Sequence, residues 1–124
     1  MSIKSKAVIQ DETTYNDALS KGNITLYCVL YLDMYSNRIL ESVYIERKNA
    51  ESYRNQSSQK LHIESETVEE YDGQIILWCS NEWGHGDVLS FLNLHTEYDE
   101  AHRACYANGR PSPVKISDAT VSEL

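Results

Sequence analysis

The feature that most constrains the fold of this chain is an internal repeat. Three matches share an offset of 51 residues: residues 24–28 with 75–79, Val43 with Leu94, and Ala50 with Ala101. Further along the chain, residues 61–68 match residues 114–121 at an offset of 53 residues. Because the matches occur in the same order in both halves, the sequence predicts two tandem copies of one unit, at residues 23–72 and 73–124.

Local patterns predict the same order of elements, strand–strand–helix–strand, in each unit. Branched and aromatic residues interrupted by a turn predict a β-hairpin, and helix formers follow it. In the first unit the predicted elements are strands at 24–32 and 38–45, a helix at 48–59, and a strand at 61–70. In the second unit they are strands at 74–81 and 88–95, a helix that Thr96 caps and that ends near Ala107, and a strand at 114–121.

One unit of three strands and one helix buries too little apolar surface to be stable alone. Two units side by side predict a single α+β domain, with a mainly antiparallel sheet of about six strands and two helices. The matched residues Cys28 and Cys79 are expected to pack in its core. Residues 1–22 precede the repeat and are expected to form an arm, with a short helix at 13–21 that Gly22 closes.

Composition and charge disfavour several classes of protein. A chain of 124 residues has room for one domain, and its net charge of −8 disfavours binding to the phosphate backbone of DNA or RNA. Three cysteines without a C-x-x-C pair indicate a reducing compartment, and no apolar run is long enough to span a membrane. The first residues lack the apolar stretch of a secretory signal, so we expect a cytoplasmic domain.

The two units differ most in two loops, and these differences predict where a ligand binds. In the second unit, Trp83 stands beside two glycines, and an exposed indole is a stacking platform for a base, although it can equally fold back onto the domain. Arg110 lies between a glycine and a proline, and a guanidinium suits phosphate, although a solvated loop arginine has the same pattern. Asn93 lies between two leucines, where its amide can read a base or satisfy a neighbouring backbone group.

Catalytic and metal-binding motifs are weaker in this sequence. It has no H-E-x-x-H, G-x-S-x-G or Walker loop. His85, Asp87, His95 and His102 all lie in the second unit, but their spacing fits no standard metal site. We therefore expect a binding protein rather than an enzyme, with no metal and no cofactor.

In length and predicted architecture, the chain resembles the small phage proteins that counter the Thoeris defence system. Those proteins are sponges: they sequester cyclic ADP-ribose isomers, in some members also cyclic trinucleotides, without cleaving them, and they assemble as dimers or larger rings. The resemblance implies that Trp83 stacks the adenine, Asn93 reads the ligand and Arg110 holds phosphate, with Asn108 beside Arg110. Arg54 on the first helix is expected to line a second site between subunits.

Three functions follow from these observations. The first is a phage anti-defence protein that sequesters cyclic nucleotide signals in the host cytoplasm, as a homodimer or higher homo-oligomer. The second is a small acidic inhibitor that binds a host defence complex of the CRISPR or restriction type, which the net charge and size also suit. The third is a small hydrolase of nucleotide signals, which would return the ligand changed rather than intact.

Overall fold

The computed structural model describes residues 7–8 and 22–121, so the short helix predicted at 13–21 and most of the predicted arm lie outside the described residues. Ten elements follow one another: β1 (Ala7–Val8), β2 (Asn23–Leu32), β3 (Arg38–Tyr44), α1 (Arg47–Gln56), β4 (Leu61–Glu69), β5 (Ile76–Trp83), β6 (Leu89–His95), α2 (Tyr98–Arg103), β7 (Ser112–Lys115) and β8 (Thr120–Val121). The prediction of an α+β fold with antiparallel strands and two helices is confirmed. None of the helices in the described part of the chain has the length and apolar character that crossing a membrane requires.

The six main strands form two antiparallel sheets rather than one continuous sheet. Their orders are β3-β2-β4 and β6-β5-β7, and β1 pairs separately with β8. The physical reason lies in β2, whose two faces are both apolar. Leu26 and Cys28 on one face are fully buried, and so is Val29 on the other. A strand that is apolar on both faces needs a cover on each side, so the sheets stack face to face instead of extending side by side.

The main core lies between the two sheets and includes residues from both. Leu26 and Cys28 of β2 pack there with Leu77 and Cys79 of β5. Burial raises the pKa of both thiols to about 12, so they remain protonated and act as small apolar side chains, as predicted.

Each helix covers the outer face of its own sheet. Helix α1 packs on β2, β3 and β4, where Ala50 is fully buried beside Val29, Tyr44 and Leu61. Helix α2 packs on β5 and β6, where Ala101 is fully buried. The small side chain allows each helix backbone to approach its sheet closely, so the molecule has four layers in the order helix, sheet, sheet, helix.

The first three elements of the two halves correspond residue by residue. In each half the first strand is central and pairs with the second strand in a register that shifts once, after Val29 in β2 and after Ser80 in β5. The helices begin at Arg47 and Tyr98. Both pairs of positions are 51 residues apart, the offset that the sequence comparison predicted.

The third strand departs from the predicted match. Tyr27 pairs with Ser65 in the first sheet, and Trp78 pairs with Pro113 in the second, which corresponds to an offset of 48 residues rather than 53. The strand predicted at 114–121 is also interrupted, because the chain turns at residues 117–118 before β8. Asp118 in this turn accepts hydrogen bonds from the backbone N–H groups of Ile45 and Glu46 at 2.8 and 2.9 Å, just before α1.

Helix α2 is shorter than predicted, for a reason that is tertiary rather than local. It ends at Arg103 instead of near Ala107, because Tyr106 donates its backbone N–H to the carbonyl of Asn81 on β5. Its N-cap position is Glu97, not Thr96, and no side chain caps it. Helix α1 begins at Arg47 and ends at Gln56, three residues before the predicted end.

Side chains of the first sheet bind the backbone of β6 and tie the two sheets together. The guanidinium of Arg38 donates to the carbonyls of Phe91 and Leu92 at 3.1 and 3.2 Å. The carboxylate of Glu66 accepts the backbone N–H of Leu94 at 2.8 Å. These contacts satisfy polar groups at the bulge and edge of β6 that would otherwise lack partners.

Candidate functional site

Two of the predicted ligand-binding residues lie in direct contact. The Arg110 guanidinium lies over the Trp83 ring, with its central carbon 5.9 Å from the ring centroid. Trp83 is the last residue of β5 and is 38% exposed. Their interaction combines a flat aromatic face with a cation at the surface, which is the arrangement that stacking on a base and pairing with a phosphate require.

A buried amide two residues before Trp83 holds the arginine loop in place. Asn81 is 5% exposed, and its Nδ2 donates to the carbonyl oxygen of Arg110 at 2.8 Å and to Oγ of Ser112 at 3.0 Å. Its backbone N–H donates to Sγ of Cys105 at 3.4 Å. Asn81 therefore binds the loop at residues 105–112 from both its side chain and its main chain.

The arginine loop has a backbone that few residues adopt without cost. Ala107 and Asn108 have positive φ angles of 52° and 61°. Asparagine tolerates this left-handed region, whereas alanine in it costs about 1 kcal/mol. A Cβ atom at Gly109 would overlap the carbonyl oxygen of Asn81, so only glycine fits where the loop crosses β5. Strained backbone held by buried contacts is more frequent at binding sites than elsewhere.

A cleft of about 200 Å³ opens between the two sheets, lined by Asn81 and Ser112 but not by Trp83 or Arg110. Its walls include Arg38 of β3, and Asn81, Leu89 and Phe91 of the second sheet. Trp83 pairs with Leu89 and lies on the same face of β5 as Asn81, so it stands at the rim of this cleft. Sites for small molecules usually enclose about 300–1,000 Å³, so the cleft accepts only part of a nucleotide-sized ligand.

The other predicted site residues do not converge on this pair. Asn93 is paired with Ser80 rather than with the end of β5, and its amide donates to Glu66 at 3.3 Å. Asn108 belongs to the arginine loop and is exposed. Arg54 lies on α1, which covers the outer face of the first sheet, and its Nε donates to Asn55 at 3.3 Å.

The two glycines beside Trp83 have a structural role that the sequence did not reveal. A Cβ atom at Gly84 would overlap the side chain of Asn37, which comes from the first hairpin. Asn37 donates its Nδ2 to the carbonyl oxygen of His85 at 2.9 Å. A Cβ atom at Gly86 would come within 3.8 Å of the Tyr35 ring. A Cβ atom at Gly84 has no room because the two hairpin tips pack against each other, whereas glycine at position 86 is favoured by its positive φ angle of 77°.

A second cluster has the residue types of a nucleophilic relay. Oγ of Ser80 lies 2.9 Å from Nε2 of His95, and Nδ1 of His95 lies 3.6 Å from the carboxylate of Glu100. Ser80, however, is fully buried, and its hydroxyl also accepts the backbone N–H of Asn93 at 3.1 Å. A nucleophile must reach its substrate, so this hydroxyl serves as a hydrogen-bond partner at the β6 bulge rather than as an attacking group.

Metal ligands are not gathered in the part of the chain that the structure describes. No group of three or more His, Cys, Asp or Glu side chains at residues 7–8 or 22–121 is placed to hold a metal ion. His85 lies at a hairpin tip and His95 beneath α2. The histidines and the aspartate that the sequence placed in one unit therefore do not form one site.

No protein-family model, curated protein or solved structure matches this chain, so the site is interpreted from its own residues.

Asn81 is the site residue that sequence reasoning missed, although a signal for it was present. At the offset of 51 residues it corresponds to Leu30 of the first unit, which is fully buried. An amide at a core position that is leucine in the other unit predicts a buried hydrogen-bond network. Extending the match beyond Cys79 by two residues would have identified it.

Proposed function

We propose that this protein binds a small ligand with an aromatic base and a phosphate, and that it sequesters the ligand without cleaving it. The observation that carries this proposal is the Trp83–Arg110 pair, held at the surface by a buried asparagine and a strained loop. The adjacent cleft gives the ligand a second point of contact.

The biological role that we propose is that of a phage anti-defence protein. Its ligands would be cyclic ADP-ribose isomers, with cyclic oligonucleotides as a second class, in the cytoplasm of the host. This role rests on the resemblance to Thoeris sponges in size and architecture and on the stacking and phosphate-binding groups now found together. Because the cleft is smaller than a nucleotide, part of the ligand would remain at its mouth, where a second subunit of a homo-oligomer can cover it.

We also infer that the two halves arose by duplication of one strand–strand–helix–strand unit. The equal offset of the strand registers, the bulges and the helix starts supports this inference. The third strand, which pairs in a different register, would then have changed after the duplication, together with the arginine loop that precedes it. In this view the ligand site lies where the second unit diverged from the first.

Isothermal titration calorimetry with the cyclic ADP-ribose isomers tests the binding. We expect saturable heat for at least one isomer, and recovery of the unchanged ligand, by mass spectrometry, after the protein is denatured by heat. Trp83→Ala removes the stacking face, and Arg110→Gln removes the charge but keeps most of the stem. Each is expected to weaken binding about tenfold or more, since stacking and charge-assisted contacts contribute about 1–3 kcal/mol each.

The matched control is Tyr53→Ala, which removes an exposed aromatic residue from α1, on the outer face of the other sheet. It should leave the affinity unchanged. If no isomer or cyclic oligonucleotide gives heat with the wild-type protein, sequestration of this ligand class is wrong. Conversion of the ligand to a new product by the wild-type protein would instead favour the hydrolase.

A further inference from the structure

The tips of the two hairpins form one continuous surface at the end of the sandwich. Residues 32–35 belong to the first hairpin and residues 85–87 to the second, and we call them together the hairpin-tip surface. The ring centroids of Tyr35 and His85 lie 6.3 Å apart, and Asn37 bonds the carbonyl of His85. The two tips therefore present their side chains as a unit.

The hairpin-tip surface is apolar and exposed. Met34 is 85% exposed, Tyr35 56% and Leu32 50%. Large apolar side chains that stand together in water usually mark a contact with another molecule.

The same surface is held in a fixed shape before any partner binds. One carboxylate oxygen of Asp33 accepts the backbone N–H groups of Tyr35 and Asn37 at 2.8 and 2.9 Å. The other accepts the side-chain amide of Asn37 at 2.9 Å. A preorganised surface loses little conformational freedom on binding, which favours affinity.

Acidic side chains outnumber basic ones on this surface, where His85 is the only basic residue. Asp33 and Asp87 are its acids, and neither residues 32–37 nor residues 84–88 contain a lysine or arginine. Desolvation raises the pKa of Asp33, but hydrogen bonds from Asn37 and Tyr35, together with the nearby His85, outweigh it and hold the pKa below the ordinary value. The nearest hairpin arginine, Arg38, turns its guanidinium inward to Glu64 and the backbone of β6.

We propose that the hairpin-tip surface docks a partner protein whose contact surface is apolar and rimmed by lysine or arginine side chains. The apolar residues supply the centre of such an interface, and the two aspartates supply the rim. A second copy of this chain is a poorer occupant, because a symmetric contact between two hairpin-tip surfaces brings carboxylates of the same sign together. The partner is thus a different protein. Met34 and Tyr35 of this surface are not part of the Trp83–Arg110 pair.

The test is a titration of the isotope-labelled full chain, followed by ¹H–¹⁵N NMR, with two synthetic peptides of equal length. One alternates leucine with lysine and the other leucine with glutamate. We expect the lysine peptide to shift the amide signals of residues 32–35 and 85–87, and the glutamate peptide to leave them in place. Met34→Glu should weaken binding of the lysine peptide about tenfold or more, since it puts a charge at the apolar centre of the surface.

Two further variants make the test specific. Asp87 has a positive φ angle of 57°, which asparagine also tolerates, so Asp87→Asn keeps the shape of the loop and removes one rim charge. It should weaken binding of the lysine peptide about two- to threefold. Ile76→Thr changes an exposed apolar residue at the far end of β5 and should have no effect. The proposal is overturned if the lysine peptide shows no binding at millimolar concentration, if its shifts are centred elsewhere, or if the free protein self-associates through these amides. Met34→Glu should retain nucleotide binding, so the two proposals can fail separately.

Discussion

Replacing Asn81 with leucine tests whether the buried amide positions the arginine loop. Leucine is the residue at the corresponding position, Leu30, where the first unit buries it completely. The substitution removes the hydrogen bonds from Nδ2 to the carbonyl of Arg110 and to Ser112. It keeps the branch at the γ carbon and the number of heavy atoms, so the strand itself has little reason to move, although two methyl groups are bulkier than the amide.

The expected effects on stability and on the site differ in size. Two neutral hydrogen bonds contribute about 1 kcal/mol each, and burial of the leucine side chain contributes about 2 kcal/mol in the opposite direction. The free energy of unfolding should therefore change by less than about 1 kcal/mol in urea titrations. The loop that holds Arg110 loses its anchor, and each residue that must become ordered again on binding costs about 1 kcal/mol or more. We expect the affinity for the nucleotide ligand to fall at least about tenfold.

A measurement without ligand can decide the same point. The chain contains two tryptophans, so Trp78→Phe leaves Trp83 as the only indole. Iodide is an anion that the nearby guanidinium of Arg110 attracts, whereas acrylamide is neutral. In this background, Asn81→Leu should reduce quenching by iodide, relative to acrylamide, to the value of Arg110→Gln. If Asn81→Leu keeps the ratio of the parent protein, other contacts hold the loop and our account of Asn81 is refuted. Asn93→Ser, which introduces the residue of the first unit at another site, is the matched control and should keep the ratio.

Substitutions at three further positions test the fold. Burial raises the pKa of Glu66 despite the hydrogen bonds from Leu94 and Asn93, so the folded state favours the protonated carboxyl, and the stability that this group contributes at low pH is lost as pH rises through the folded pKa. Glu66→Gln should therefore be at least as stable as the wild type at neutral pH in urea titrations, and its stability should depend less on pH above about 4.5; a clear loss of stability at neutral pH would contradict this sign. Asp118→Ala should cost about 2 kcal/mol, and Asp118→Asn about half of that, in thermal melts, because the carboxylate accepts two backbone N–H groups in the segment just before α1; equal stability of Asp118→Ala and the wild type would show that these hydrogen bonds contribute nothing. Gly109→Ala should cost about 1–3 kcal/mol by overpacking and also lower iodide quenching of Trp83; an unchanged melt would show that the loop has room to move.

The sequence predicted the elements whose signals are local. The strands and hairpins follow from branched residues and turns. The internal match correctly aligned Ala50 with Ala101, which are the fully buried residues of α1 and α2. Trp83 and Arg110 lie where the units differ and were expected to share a site with Asn93; the structure places the first two in contact and Asn93 elsewhere. Residues that only one unit carries were therefore informative even without relatives.

Tertiary contacts explain the parts that the sequence did not predict. The division into two sheets depends on the second apolar face of β2, and a strand that is apolar on both faces does not reveal from its own pattern which partner covers each face. Helix α2 ends early because Asn81 takes the backbone N–H of Tyr106, a contact across 25 residues of sequence. The last strand breaks where Asp118 binds the backbone just before α1 of the other unit, a partner that no local propensity can specify.

Strand β5 differs from β2 at two buried polar residues, and these two residues bond to different parts of the structure. Ser80 and Asn81 replace Val29 and Leu30, and a buried polar group is costly unless it is bonded. Ser80 bonds the backbone of its own sheet at the β6 bulge, so its role is complete within the fold. Asn81 instead donates a hydrogen bond from its side-chain amide to the carbonyl oxygen of Arg110, outside the sheet. Since an apolar residue would serve the core at that position, as in the first unit, the amide is best explained by the loop that it holds.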